Sequence, residues 1–125
     1  MRAPIILADT ATIPSEIKNR LNSIGIDPKD IKIAVEGDLN EEGSIMPTWL
    51  LIASDSILSV PAEQNRPITG PLLLDEIDAF RIKTSVGGGA LQAVLDGLPV
   101  TLTRYTNRHR ERFSRVSTHL RRVSE

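Results

Sequence analysis

The spacing of apolar residues changes twice along this chain, and the changes restrict the elements it can build. Ile13, Ile17, Leu21 and Ile24 recur at intervals of four, four and three, which marks one face of a short helix. Pro14 and Ser15 suit its start, Glu16 its first turn, and Gly25 with Asp27-Pro28 its end. So short a helix is marginal alone in water, so its apolar stripe is expected to pack on the rest of the molecule. From Ile31 the period becomes two. Ile31, Ile33 and Val35 point one way and Lys32, Ala34 and Glu36 the other, as in a strand with one wet face. After Asn107, a residue type suited to an N-cap, the helical period returns with Phe113, Val116, Leu120 and Val123, while Arg110, Arg115, Arg121 and Arg122 take other faces.

Turn residues divide the middle of the chain into short strands. The polar stretch from Gly37 to Gly43 precedes the apolar run Trp49 to Ala53, and Ser54-Asp55 separates that run from Ile57, Leu58 and Val60, which end at Pro61. Residues 62–71 read as an exposed loop, and Leu72 to Leu74 as a fourth strand. Phe80 and Ile82 alternate with Arg81 and Lys83 in a fifth, Gly87-Gly88-Gly89 breaks the run, and Ala90 to Leu95 form a sixth. Asp96-Gly97 accepts the positive backbone angles of a tight hairpin, after which Val100 and Leu102 continue as the last strand. Seven short strands in hairpin order predict an α+β fold, a curved antiparallel sheet capped by a C-terminal helix, with a short N-terminal helix. At 125 residues the chain has the usual size of one domain, read here as a helical appendage over 1–30 and a sheet domain over 31–125.

Few residues are spaced for chemistry. With no cysteine, thiolate nucleophiles and thiolate metal sites are excluded, which fits a reducing, cytoplasmic location. A Walker loop needs Lys and then Ser or Thr after its last glycine, whereas Ala90 and Leu91 follow Gly89; the three glycines are read as a tight reversal or bulge. Asp38, Asn40, Glu42 and Gly43 imitate the opening of a calcium loop, but its twelfth position is Trp49 rather than a bidentate carboxylate, so an acidic hairpin loop is expected. His109 and His119 lie too far apart along one helix to share a metal, lack a carboxylate evident from sequence to orient them, and are read as solvated. Asp75, Glu76 and Asp78 are close enough for acid and base work, yet read more simply as a polar turn. Trp49, Phe80 and Phe113 each sit within an apolar pattern and are expected in the core. No enzyme, metal or cofactor is expected.

Charge is distributed unevenly. Residues 1–103 carry a net charge of −6, and residues 104–125, with seven arginines against Glu111 and Glu125, carry +5. A solvated helix face is the commoner explanation of such a cluster. Nucleic acid is not the expected partner, because the sheet region is acidic and only Tyr105 and Phe113 accompany the arginines. No apolar run approaches the roughly 20 residues of a membrane helix, and Met1 to Ala8 is too short for a signal peptide.

The order of elements, with a Trp-led hairpin from Trp49 to Val60, Leu72-Leu73-Leu74-Asp75-Glu76-Ile77 before Phe80 and a terminal amphipathic helix, resembles a bacterial pleckstrin-homology-like domain from about Ile31 to Val123. More narrowly, the chain is similar to the cytosolic N-terminal extension of some bacterial ABC exporters. The residues carrying that likeness are Ile26-Asp27-Pro28, Ala34-Val35-Glu36-Gly37-Asp38-Leu39, Val86-Gly87-Gly88-Gly89-Ala90-Leu91, Arg104-Tyr105-Thr106-Asn107 and Arg112-Phe113. The resemblance implies a noncatalytic regulatory or docking domain at the inner face of the cell membrane, whose partners are the membrane and ATPase domains of a parent transporter. The alternative is a stand-alone module recruiting a soluble protein. A finish still in helical pattern, Arg121-Arg122-Val123-Ser124-Glu125, fits a domain excised from a longer chain. Arginines before a membrane would obey the positive-inside rule, and Arg108, Arg112, Arg115, Arg121 and Arg122 are the candidates for weak anionic-lipid contact. Phosphoinositide-binding members of the fold use basic residues around their first hairpin, where this chain has Asp38, Glu41 and Glu42.

Overall fold

The computed structural model describes residues 13–39 and 44–124, without the side chains of Arg112, His119 and residues 121–124. In chain order the elements are α1 (Ser15–Ser23), β1 (Ile31–Leu39), β2 (Ile45–Ala53), β3 (Ser56–Pro61), β4 (Thr69–Leu73), β5 (Ala79–Ser85), β6 (Gly88–Leu95), β7 (Leu98–Thr106) and α2 (Arg110–Ser124). All seven strands lie in one sheet in the order β4-β3-β2-β1-β7-β6-β5, antiparallel at every pairing. The architecture is therefore the α+β arrangement expected from the period changes.

Two apolar clusters form because β1, β2 and β3 are buried on both faces. Ile33, Val35, Leu50, Ile52 and Ile57 face inward and meet Phe80, Leu91, Ala93 and Leu102 of the other half of the sheet under Phe113, Val116 and Leu120 of α2. Ala34, Trp49, Leu51, Leu58 and Val60 face outward and are covered by Ile13, Ile17 and Leu21. Arg20 fastens that covering helix by donating to the carbonyls of Pro61 (2.8 Å), Glu63 (3.3 Å) and Arg66 (2.6 Å). Trp49, Phe80 and Phe113 are buried as expected.

Several local expectations are corrected. Ile31 does not share a face with Ile33 and Val35, because the register with β2 shifts between Ile31 and Ile33 and sends Ile31 to the outer cluster. The outer side of β1 is consequently only partly wet: Lys32 and Glu36 are exposed, but Ala34 lies beneath α1. Ile24 falls off the helical stripe, since α1 ends at Ser23, and its side chain is 43 % exposed. Asn107 caps no helix through its side chain; it opens a 3-10 turn, Asn107–His109, ahead of α2. Strand β4 begins at Thr69, inside the expected loop, and β6 includes Gly88 and Gly89. The Asp96-Gly97 hairpin forms as predicted, with φ of 52° and 79°.

Candidate functional site

Three stretches distant in sequence are tied together at the start of α2. Asp38, near the end of β1, accepts hydrogen bonds from the Thr106 N–H (2.9 Å) and the Thr106 hydroxyl (2.5 Å). His109 Nε2 lies 3.8 Å from the same carboxylate. The Asn107 N–H donates to the Gly87 carbonyl at 2.9 Å, and Arg110 Nη2 donates to Asn107 Oδ1 (2.6 Å) and the Gly88 carbonyl (3.3 Å). Burial alone would raise the Asp38 pKa. The side-chain and backbone bonds from Thr106, its own N–H and the His109 imidazole outweigh it and hold the carboxyl below its ordinary value. His109 is thus partly buried beside a carboxylate rather than fully solvated.

The two edges of the sheet differ. Among the described residues β4 pairs only with β3, and it contains Pro71, which has no N–H to offer a further strand. β5 pairs only with β6 among the described residues, and its sequence Ala-Phe-Arg-Ile-Lys-Thr-Ser contains neither proline nor glycine. It carries exposed Arg81, Lys83, Thr84 and Ser85, and α2 packs alongside it. A seven-residue edge of this kind leaves its outward backbone groups open to a partner strand.

α2 commits its apolar stripe to the interior: Phe113, Val116 and Leu120 are fully buried. Of the arginines predicted to meet an anionic surface, Arg108 is exposed in the 3-10 turn. Arg115 is half-exposed and pairs with Glu111 one turn earlier at 3.3 Å. The side chains of Arg112, Arg121 and Arg122 lie outside the described residues. An exposed helical ion pair of this spacing contributes little to stability and leaves the guanidinium accessible.

The other candidate residues take structural positions. Asp75 and Glu76 are exposed in a 3-10 turn, whereas the Asp78 carboxylate accepts from the Asp96 N–H at 2.8 Å and holds the β6–β7 hairpin. Gly87 makes the β5–β6 reversal at φ +91°, and a Cβ on Gly88 would collide with the Tyr105 carbonyl oxygen. Asn40, Glu42 and Gly43 of the acidic loop lie outside the described residues, as does the side chain of His119. Among the described residues no three of His, Asp and Glu gather as a metal cage. The Asp38–Thr106 pair escaped sequence reading because its partners are 68 positions apart and neither type signals the other. Comparison with protein-family models, curated proteins and solved structures finds no match to this chain.

Proposed function

We propose that this is a noncatalytic regulatory or docking domain of pleckstrin-homology-like type, serving a membrane ABC transporter from the cytoplasmic side. The observation that carries the docking reading is the asymmetry of the sheet edges. Pro71 blunts β4, while β5 stays open beside α2 and can take an extended segment of the transporter's membrane or ATPase domains by strand addition. The seven-stranded antiparallel sheet with its C-terminal helix supports the fold assignment. The segments that carry the likeness to exporter extensions also fit a structural role, since Asp38 bonds Thr106 and Gly87 bonds Asn107 across three of them.

Membrane apposition is the second element of the reading. Among the described residues no helix is long and apolar enough to cross a membrane, so contact would run through the basic end, with Arg108 and Arg115 outward. Co-sedimentation with phosphatidylglycerol-containing and pure phosphatidylcholine vesicles at low and high salt tests it. Binding to the anionic vesicles alone, lost at high salt, is expected. Absence of binding to either would remove the membrane element and favour the alternative, a module whose β5 edge recruits a soluble protein.

A further inference from the structure

The side chains of β5 alternate between two faces of different character. Phe80, Ile82 and Thr84 face the interior and α2, while Arg81, Lys83 and Ser85 face away and are exposed. The outward face is basic and holds no acid of its own to answer it. The register sets Arg81 beside Gln92 and Thr101, and Lys83 beside Ala90 and Arg104, so no carboxylate stands in either cross-strand row. Arg81 Nε donates to Gln92 Oε1 at 2.9 Å, and Gln92 Nε2 donates to Thr101 Oγ1 at 3.2 Å. This chain steadies the guanidinium along the sheet and leaves both its Nη groups without a partner among the described residues. Neither Arg81 nor Lys83 belongs to an ion pair among those residues. Of the nearby acids, Asp75 and Glu76 precede the strand in the 3-10 turn, and Asp78 is bonded to the Asp96 N–H.

On the inward face, an open cleft of about 300 Å³ separates β5 from α2, with Ile82 and Thr84 on one side and Ser114 and Thr118 on the other. A strand added to the free edge would run about 4.8 Å from β5. Its residue opposite Ile82 would point inward and enter this cleft, and the two residues flanking it, opposite Arg81 and Lys83, would point to the basic face. The edge therefore reads three consecutive residues of a partner strand.

A second copy of the chain does not fit. Two β5 edges paired antiparallel about Ile82 would set Arg81 of each opposite Lys83 of the other, and like charges directly opposite are destabilising. A lipid headgroup would meet the charges but leave the open backbone ladder unused. We infer that the β5 edge takes an extended acidic segment of a partner protein, in which two carboxylates meet Arg81 and Lys83 and the apolar side chain between them packs on Ile82 in the cleft. The inference rests on the docking reading and adds the chemistry of the segment that docks.

The intact chain, isotopically labelled, would be titrated with the capped peptide Thr-Val-Glu-Leu-Glu-Val-Thr and with its counterparts carrying glutamine or lysine in place of both glutamates, following the β5 amides by NMR and hydrogen exchange. Saturable shifts and slowed exchange over residues 79–85 are expected with the glutamate peptide, weakening at high salt. The lysine peptide should bind at least about tenfold more weakly. Arg81→Gln and Lys83→Gln should each weaken the glutamate peptide about threefold, the loss of one exposed ion pair. The double variant Arg81→Glu, Lys83→Glu should prefer the lysine peptide. Both side chains are exposed, and the amide spectra of the variants verify their folds. Equal binding of all three peptides at β5, or preference for the lysine peptide, would overturn the inference and leave the docking reading standing, whereas no binding at β5 by any of them would overturn both. Undiminished affinity in both glutamine variants, or glutamate-peptide shifts confined to the surroundings of Arg108 and Arg115, would also overturn it. So would β5 amides that become protected without peptide as protein concentration rises, which would assign the edge to a second copy.

Discussion

At the scale of single residues, Asp38 shows how a side chain that looks like loop decoration becomes a fastening. The folded protein favours its ionised form more than the unfolded chain does. Its contribution to stability is therefore complete above the ordinary carboxylate pKa of 3.8 and is lost as pH falls through the lower folded value. Asp38→Ala should remove that acid-sensitive component and leave Thr106 without its partner, at a cost of about 1–2 kcal/mol near neutral pH. Urea unfolding of both proteins between pH 2 and pH 7 checks the sign and the size. Gly88 makes a different demand. Because the atom that a new Cβ would strike is backbone, the strands themselves must separate. Gly88→Ala should thus cost about 1–3 kcal/mol, as overpacking does, and lower the melting temperature. The triplet Gly87-Gly88-Gly89 was legible as a reversal, yet its three members do separate jobs: a positive φ, a close strand approach and room for a phenol. Only the first is readable from composition, since the others depend on Tyr105, which arrives from another strand.

Among the elements, α1 was legible as a helix but not as a lid over a second core. Its stripe at Ile13, Ile17 and Leu21 follows from spacing. What it covers depended on Ala34, Leu58 and Trp49 facing outward, and the single register shift that sends Ile31 to join them leaves no local signal. Leu21 is fully buried, so Leu21→Ala should destabilise by about 2–5 kcal/mol, measured by denaturant unfolding. Trp49, the only tryptophan and 7 % exposed, would register any undocking of α1 as a red shift in fluorescence. β5 was legible as a strand from Phe80 and Ile82, although its place at the edge was not, because strand order is a property of the whole sheet. Its position predicts that amides of β5 facing away from β6 exchange with deuterium well ahead of those in β6 and β7. Hydrogen exchange read by NMR resolves the alternation residue by residue.

Over the whole molecule the period changes announced the α+β class, while the basic end was legible only as charge. Seeing which arginines remain outward required α2 to be placed, and Arg115 then proved to be paired with Glu111. The two clusters sit on opposite faces of the same strands, with Ala34 outside and Ile33 and Val35 inside on β1. Neither can melt without disturbing the strands the other needs. Thermal transitions followed by Trp49 fluorescence, outside, and by Tyr105 near-ultraviolet circular dichroism, inside, should therefore coincide. Separate midpoints would show that α1 and its cluster melt as a distinct unit. The strand order has a further consequence. β4 and β5 follow one another in the chain, joined through the Leu74–Glu76 turn, yet occupy opposite ends of the sheet. A nick at that turn would sever no ladder of hydrogen bonds, and the resulting fragments would each keep an antiparallel meander, one of four strands and one of three. The molecule is in this sense a self-complementing pair, joined where Leu39 of β1 meets Arg104 of β7 and sealed by a shared interior, and that seam, where the backbone ties the sheet most sparsely, is its natural line of separation.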